Sequence, residues 1–305
     1  MPPESVELRP PRLEEFGEIA ALINRAAEEL YGEREETETT IRLWLTAPEL
    51  DLEHDVRLAV HEGRLAGYAD LAPHPEPKFW LDVRAAMSAP DEVRETLLGW
   101  GEERAQVRAA TLVRAFTSVR DTPWKAALER HGYDLIRHSY RMRIDFEEAP
   151  PDPDWPDGVV LRSATSTDIE AAYDVYVETF QDTWEFAADP FEKWRHWMVE
   201  DDLDFSLWFF AEDGGEVAGV ALCAPWESEQ GLGWVRVLGV RRPWRRKGLG
   251  RALLLHAFGE FHGRGFHGVG LGVDAESLTG AHRLYERAGM RVFRSYDIYE
   301  KALGG

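Results

Sequence analysis

Cysteine is nearly absent: the chain has one, Cys223, in 305 residues. A disulfide framework is therefore excluded, and a reducing, cytoplasmic compartment is the expectation. Cys223 lies in the apolar run VALCA at 220–224, which suits a small buried thiol better than a nucleophile. Long apolar runs are missing too. None approaches the roughly 18–20 residues of a membrane span, and the opening MPPESVELRPPRLEEF has no apolar segment of the secretory kind. No membrane partner is expected. Basic residues are scarce, 35 Lys and Arg against 56 Asp and Glu, for a formal charge of -21. So acidic a chain repels a phosphate backbone, which argues against nucleic acid as a partner unless the basic residues gather on one face. It suits a cationic small molecule, or serves solubility alone. No spacing suggests a metal cluster or a Ser–His–Asp constellation.

What the chain does have is repetition. Its length suits about two domains, and the proline- and acid-rich FEEAPPDPDWPDG at 146–158 has the composition of a linker. The expected boundaries are 1–147, a linker at 148–158, and 159–305. VELR at 6–9 returns as VVLR at 159–162, LAGYADLAP at 65–73 as VAGVALCAP at 217–225, and LERHGY at 128–133 as YERAGM at 285–290. Three matches in one order indicate a duplicated domain. Each half reads as a strand, one or two helices, a hairpin, then strand–helix–strand–helix–strand. That order predicts two tandem α/β domains, each a mixed, mainly antiparallel sheet flanked by helices.

One stretch runs against the acidic background. RRKGLGRALL at 245–254 follows a strand-like GWVRVLGV and opens a segment with helical spacing, Leu254, Phe258 and Phe261 sharing a face. Six basic residues fall between Arg241 and Arg251. A strand-to-helix turn exposes unpaired backbone N–H groups, and glycines at 248 and 250 admit a ligand close to the backbone. The expectation is a phosphorylated ligand; the plainer alternative is a solvated basic turn. A Walker loop is excluded because no Lys-Ser/Thr pair follows Gly248, and a dinucleotide fingerprint fails at Leu253, where a third small residue belongs.

What remains, Arg245-x-x-Gly248-x-Gly250 after a strand, resembles the acyl-CoA loop of the GNAT superfamily of N-acetyltransferases. The resemblance extends through the second half to the closing LYERAGM at 284–290, and the doubled plan is similar to that of tandem members of the superfamily. It implies acetyl-CoA as co-substrate. Its pyrophosphate would lie on Arg245, Arg246, Lys247, Gly248, Leu249, Gly250 and Arg251, and its pantetheine arm would pair with Leu238, Gly239 and Val240. Ser277 stands where the family often has an asparagine that contacts the arm. The resemblance also implies Tyr285 as the acid for the leaving thiolate, the alternative being a packed core aromatic. For the base, the carboxylate that some members carry in the strand before the loop is replaced by Trp234 and Arg236. Glu227 and Glu229 lie just upstream and are the candidates, with solvated carboxylates in a hairpin tip as the alternative.

The acceptor is expected along residues 180–186, Trp194, Trp197 and Asp201, which mix aromatics with acids and suit a cationic, partly apolar amine; ordinary helix packing explains them as well. In the first half, LDVRAAMSAPDEVR at 81–94 has no glycine where the loop should recur, and Leu128 replaces the tyrosine of position 285. That half reads as a degenerate copy. The expectation is thus an acetyl-CoA-dependent N-acetyltransferase with one C-terminal site, a small amine acceptor and no metal. The alternative is a non-catalytic CoA-binding or regulatory protein with the same fold.

Overall fold

The structure, a computed structural model, describes residues 6–74, 77–199, 203–226, 231–277 and 280–304. In chain order the first half supplies β1 (Glu7–Arg9), α1 (Phe16–Tyr31), α2 (Glu38–Leu45), β2 (Val56–His61), β3 (Arg64–His74), β4 (Lys78–Ala85), α3 (Asp91–Val107), β5 (Leu112–Ser118), α4 (Thr122–Arg130) and β6 (Asp134–Asp145). The second supplies β7 (Val159–Ser163), α5 (Ile169–Phe180), α6 (Phe191–Met198), β8 (Trp208–Asp213), β9 (Glu216–Pro225), β10 (Leu232–Val240), α7 (Leu249–Gly263), β11 (Gly268–Asp274), α8 (Ala281–Arg287) and β12 (Arg291–Ala302). Both halves follow the element order read from the sequence. Among the described residues no helix is long and apolar enough to cross a membrane.

Two compact units emerge, Met1–His138 with Tyr296–Gly305, and Ser139–Ser295. In unit 1 the strand order is β1-β2-β3-β4-β5-β12, and in unit 2 it is β6-β11-β10-β9-β8-β7. Pairing is antiparallel except for β4 with β5 and β10 with β11, which are parallel. The units differ from the sequence halves at their final strands. Residues 139–145 of β6 pair with β11 in unit 2, and residues 296–302 of β12 pair with β5 in unit 1. The strand that closes each half of the sequence therefore completes the sheet of the other unit.

Local chemistry sets the helices. In α1, Ile19, Ala20, Leu22, Ile23, Ala26 and Ala27 are buried at helical spacing. The helix stops at Gly32, which takes φ 78° and donates its N–H to Glu28 O. Asp121 caps α4 by accepting from Trp124 N. Helix α7 is apolar well beyond one face, with Leu253, Leu254, Leu255, Ala257, Phe258 and Phe261 all buried. The proline-rich segment explains the excess. Phe146 packs edge-on against Phe258, and Trp155 reaches His256, with ring centroids 6.1 and 6.0 Å apart. Residues 146–158 are thus docked on unit 2, and Phe146 and Trp155, each partly buried, contribute a fraction of the about 1.5–3 kcal/mol that full burial of such a side chain gives.

Unit 1 holds an unusual carboxylate. Asp70 on β3 is 1% exposed and lies directly across the ladder from Asp82 on β4. Tyr68 donates its hydroxyl to Asp70 Oδ2 at 2.6 Å, while Asp82 is gripped by Arg84. Burial, then the facing Asp82 charge, pushes the Asp70 carboxyl up to about 8.

Candidate active site

In unit 2 the site begins with a mismatch between two ladders. β10 pairs with β9 as far as Val240, but with β11 only from Leu232 to Val235. Beyond Val235 the two parallel strands part. Arg236 is the extra residue of a β-bulge, since Val235 faces Cys223 while Val237 faces Leu222. The bulge resets which way the strand faces. Gly233 and Val235 turn toward α7 before it, and Leu238 and Val240 do so after it. Gly239 turns the other way, onto α5, where a Cβ would stand 2.4 Å from Thr179 Oγ1. From Arg236 to Val240 one edge of β10 has no ladder partner among the described strands, which leaves amide groups available to an extended ligand.

The strand runs into a short 3₁₀ turn, Arg242–Trp244, and then the glycine loop. Arg246 takes φ 62°, a conformation costly for a residue with a Cβ, and Gly248 takes φ 89° as the N-cap of α7. A Cβ on Gly248 would meet nothing within 4 Å, so the loop is open there. Among the described residues, the N–H groups of Arg246, Lys247, Gly248, Leu249, Gly250 and Arg251 donate to no protein acceptor. Six successive free donors at the positive end of a 15-residue helix form a built anion cradle.

The six basic residues divide into two sets. Arg242 and Arg245 both donate to Asp182, at 2.6 and 2.5 Å, and these bonds hold its carboxyl down at about 2. Arg245 also donates to Val240 O and Thr179 O, and Arg241 pairs with Glu178 at 2.9 Å. Trp244 donates its indole N–H to Asp213 Oδ2 at 2.8 Å. These side chains build the turn. The guanidinium of Arg245 is turned back into the protein instead of toward a phosphate. Arg246, Lys247 and Arg251 are exposed and have no hydrogen-bond or ion-pair partner among the described residues. Leu249 is buried at 1% exposure, pinning the start of α7.

Tyr285 on α8 is 8% exposed within the core beneath α7. Its hydroxyl bonds to nothing among the described residues, and burial pushes its phenol up to about 12, so it holds its proton at neutral pH. α8 meets the loop, since a Cβ on Gly250 would lie 3.5 Å from Val240 Cγ2 and 3.7 Å from Leu284 Cδ1. Ser277 follows β11, its N–H donating to Asp274 O. Glu227 and Glu229 fall outside the described residues, as does Asp201. Cys223 is fully buried, which pushes its thiol up and leaves it unsuited to nucleophilic attack.

The acceptor stretch is not a single surface. Trp194 is core, 4% exposed and ringed by Tyr173, Tyr176, Phe191 and Trp208. Asp182 is occupied by the two arginines, so its charge is already paired. Trp197 remains half-buried, and its carbonyl accepts from Arg236 at 3.3 Å. The bracing role of Asp182, 63 residues from Arg245, had no local signal in the sequence.

Unit 1 shows what the same turn becomes without glycines. α3 starts at Asp91 with Asp91 and Glu92 in its first turn. Arg94 folds back to donate to the carbonyls of Ala85, Ala86 and Ala89. The N–H of Met87 and the hydroxyl of Ser88 go to the Glu29 carboxylate at 2.5 and 3.2 Å. The chain fills this cradle with its own anion and its own cation.

Comparison with known proteins agrees with the geometry of unit 2. Residues 169–290 match the acetyltransferase (GNAT) family. A mycothiol acetyltransferase from Thermobispora bispora is 32% identical over 244 residues, 76% of this chain and 79% of that protein. A phosphinothricin N-acetyltransferase from Streptomyces viridochromogenes is 32% identical over 120 residues, 36% of this chain and 63% of its own length. A GCN5-related N-acetyltransferase from Sphaerobacter thermophilus has a similar structure, with TM-score 0.81 and 31% identity over 98% of this chain and 96% of that one. A tandem GNAT protein from the clavulanic acid biosynthesis pathway shares the fold at TM-score 0.78 and 16% identity, over 99% of each chain. The chain belongs to the GNAT family of acetyltransferases and is an N-acetyltransferase of the tandem kind.

Proposed function

We propose that unit 2 transfers the acetyl group of acetyl-CoA to the amine of a small acceptor, and that unit 1 takes no CoA. The observation that carries the reading is the run of six free N–H groups on residues 246–251, set beside the unpaired edge of β10. The N–H groups would hold the pyrophosphate, with Arg246, Lys247 and Arg251 adding charge from the rim. The amides of Leu238, Gly239 and Val240 would receive the pantetheine arm, and Ser277 would stand near it. Arg245 acts one step removed, fixing the loop through Asp182. The two relatives are named for small molecules, mycothiol and phosphinothricin, which supports a small acceptor.

An alkyl amine with a pKa near ~10 arrives as ammonium and must lose a proton before its lone pair can attack. Its nitrogen then bonds to the thioester carbonyl carbon, the C–S bond breaks, and the thiolate takes the phenolic proton of Tyr285. The ammonium gives up two protons in all; one restores Tyr285 and the other leaves to solvent. Glu227 and Glu229 are proposed to relay them through water.

The test is calorimetric titration of acetyl-CoA into the wild-type chain and a Gly248→Glu variant, followed by thiol release with a panel of amines. The glutamate would place a carboxylate against the pyrophosphate, so binding should vanish while far-ultraviolet circular dichroism stays unchanged. Unaltered affinity would remove the loop assignment. Tight binding with no thiol release across the panel would favour the non-catalytic reading.

A further inference from the structure

The parting of β10 and β11 leaves one position on β11 open. Val269 and Leu271 face the core under α7, so Gly270 and Gly272 face the other side of the sheet. A Cβ on Gly270 would stand 2.5 Å from Trp234 Cζ3, because the indole lies down on β11 at that point. Val235 and Leu271 form the last rung between the two strands, which makes Gly272 the first residue of β11 past the parting. Gly272 is exposed, and a Cβ on it would meet nothing within 4 Å. Its backbone is not left-handed either. Neither conformation nor crowding calls for glycine here, and glycine weakens the interior of a strand. What it provides is clearance above the strand.

One side of that clearance is walled. Arg141 stands directly across the ladder from Gly272 and holds its guanidinium 5.3 Å from the centroid of the Trp226 ring. Trp226 in turn lies against Trp234, with ring centroids 4.1 Å apart. Unit 1 treats the equivalent position in the opposite way. Its parallel strands also hold four rungs, ending at Leu81 and Ala115, and the next residue of β5 is Phe116. The Phe116 ring stacks on Tyr296 at 4.5 Å. The unit without a glycine loop thus carries a phenyl ring where the unit with the loop carries no side chain.

We propose that the acceptor's reacting nitrogen reaches the thioester across Gly272, and that the missing side chain there sets how much bulk the acceptor can carry beside its amine. This rests on the acetyl-transfer reading. A pantetheine arm that starts at the glycine loop and runs back along Val240, Gly239 and Leu238 points its thioester at the parting of the strands, where β11 offers Gly272. A side chain at that position would stand between the two reactants.

The test puts a nucleophile on the spot and needs no identified acceptor. Gly272→Cys, incubated with acetyl-CoA, should acetylate its introduced thiol. The thiolate attacks the thioester carbonyl carbon, the bond to the CoA sulfur breaks, and CoA leaves as the thiol with the proton that the cysteine gave up. Intact mass reads the added acetyl group, and Cys223, fully buried, gives no background. Gly259→Cys measures exchange away from the site, since Gly259 is also exposed with nothing within 4 Å of a Cβ but lies on α7. Acetylation of the first variant should outrun the second on the order of 10²-fold, as a nucleophile held beside its target does. Adding Gly248→Glu should remove that advantage. Equal rates in the two cysteine variants, with acetyl-CoA affinity of Gly272→Cys intact by calorimetry, would overturn the proposal and leave the CoA site standing. A wild-type chain that binds no acetyl-CoA would overturn the transfer reading and this one with it. Gly272→Val supplies a second arm. A β-branched residue suits a strand, so urea stability and CoA affinity should hold while kcat/KM for the best amine of the panel falls on the order of tenfold or more. The loss should be steeper for amines branched beside the nitrogen than for methylamine. A valine variant that keeps wild-type kcat/KM for every amine would overturn the proposal as well.

Discussion

Replacing Asp70 by asparagine should stabilise the protein at neutral pH, by an amount that depends on pH in a calculable way. The Asp70 carboxyl is held at about 8 by burial and by Asp82 across the ladder, against about 3.9 in the unfolded chain. The native state therefore binds a proton that the unfolded state releases. Stability from this group is fully present below about pH 4 and falls by about 1.4 kcal/mol per pH unit until the folded value is passed near pH 8. At pH 7 the loss amounts to roughly 3 units at that slope, or about 4 kcal/mol. Asparagine accepts the Tyr68 hydroxyl through its carbonyl oxygen and never titrates. Urea unfolding of both proteins at pH 5, 6 and 7 should show the variant gaining on wild type by about 3 kcal/mol across that range. Parallel stability curves would refute the reasoning, because they would mean that the Asp70 carboxyl ionises alike in the folded and unfolded chains.

Three further outcomes are expected. Calorimetry should give one acetyl-CoA per chain, since Glu29 and Arg94 fill the turn of unit 1; two sites would contradict this. Tyr285→Phe should leave CoA affinity intact and lower turnover by about 10²–10⁴-fold, whereas a packing role predicts an unchanged rate. Asp182→Asn should free Arg242 and Arg245 and weaken acetyl-CoA binding on the order of tenfold through loss of loop preorganisation; unchanged affinity would show that the loop holds its shape without that brace.

The glycine loop and the doubled order of elements were readable because both are local: a turn that needs φ above zero announces itself by glycine, and amphipathic spacing by its period. The side-chain assignments were less readable, because an arginine looks the same whether it meets a phosphate or Asp182. Trp194 shows the same limit, since an aromatic on a helix carries no mark of whether its face is covered. The apolar width of α7 was visible as composition, but its cause, the docking of Phe146 and Trp155, depends on a segment whose prolines and acids suggested a free linker. Strand exchange left no trace at all. β6 and β12 alternate alike whichever neighbour they meet, so pattern fixes the strand and leaves the partner open.

That exchange gives a physical reason for keeping a copy whose turn carries no glycine loop. A gene encoding only residues 159–305 would make a product whose β11 lacks the strand formed by residues 139–145, while residues 296–302 would have lost β5. Such a product carries one exposed sheet edge and one orphan strand, which are the ingredients of self-association. The shortened product is expected to aggregate, and to aggregate less when the peptide of residues 134–147 covers the β11 edge. The exchange in this sense binds the two copies together: each unit's sheet is completed by a strand that closes the other half of the sequence, so neither half can be dropped without opening the other's sheet.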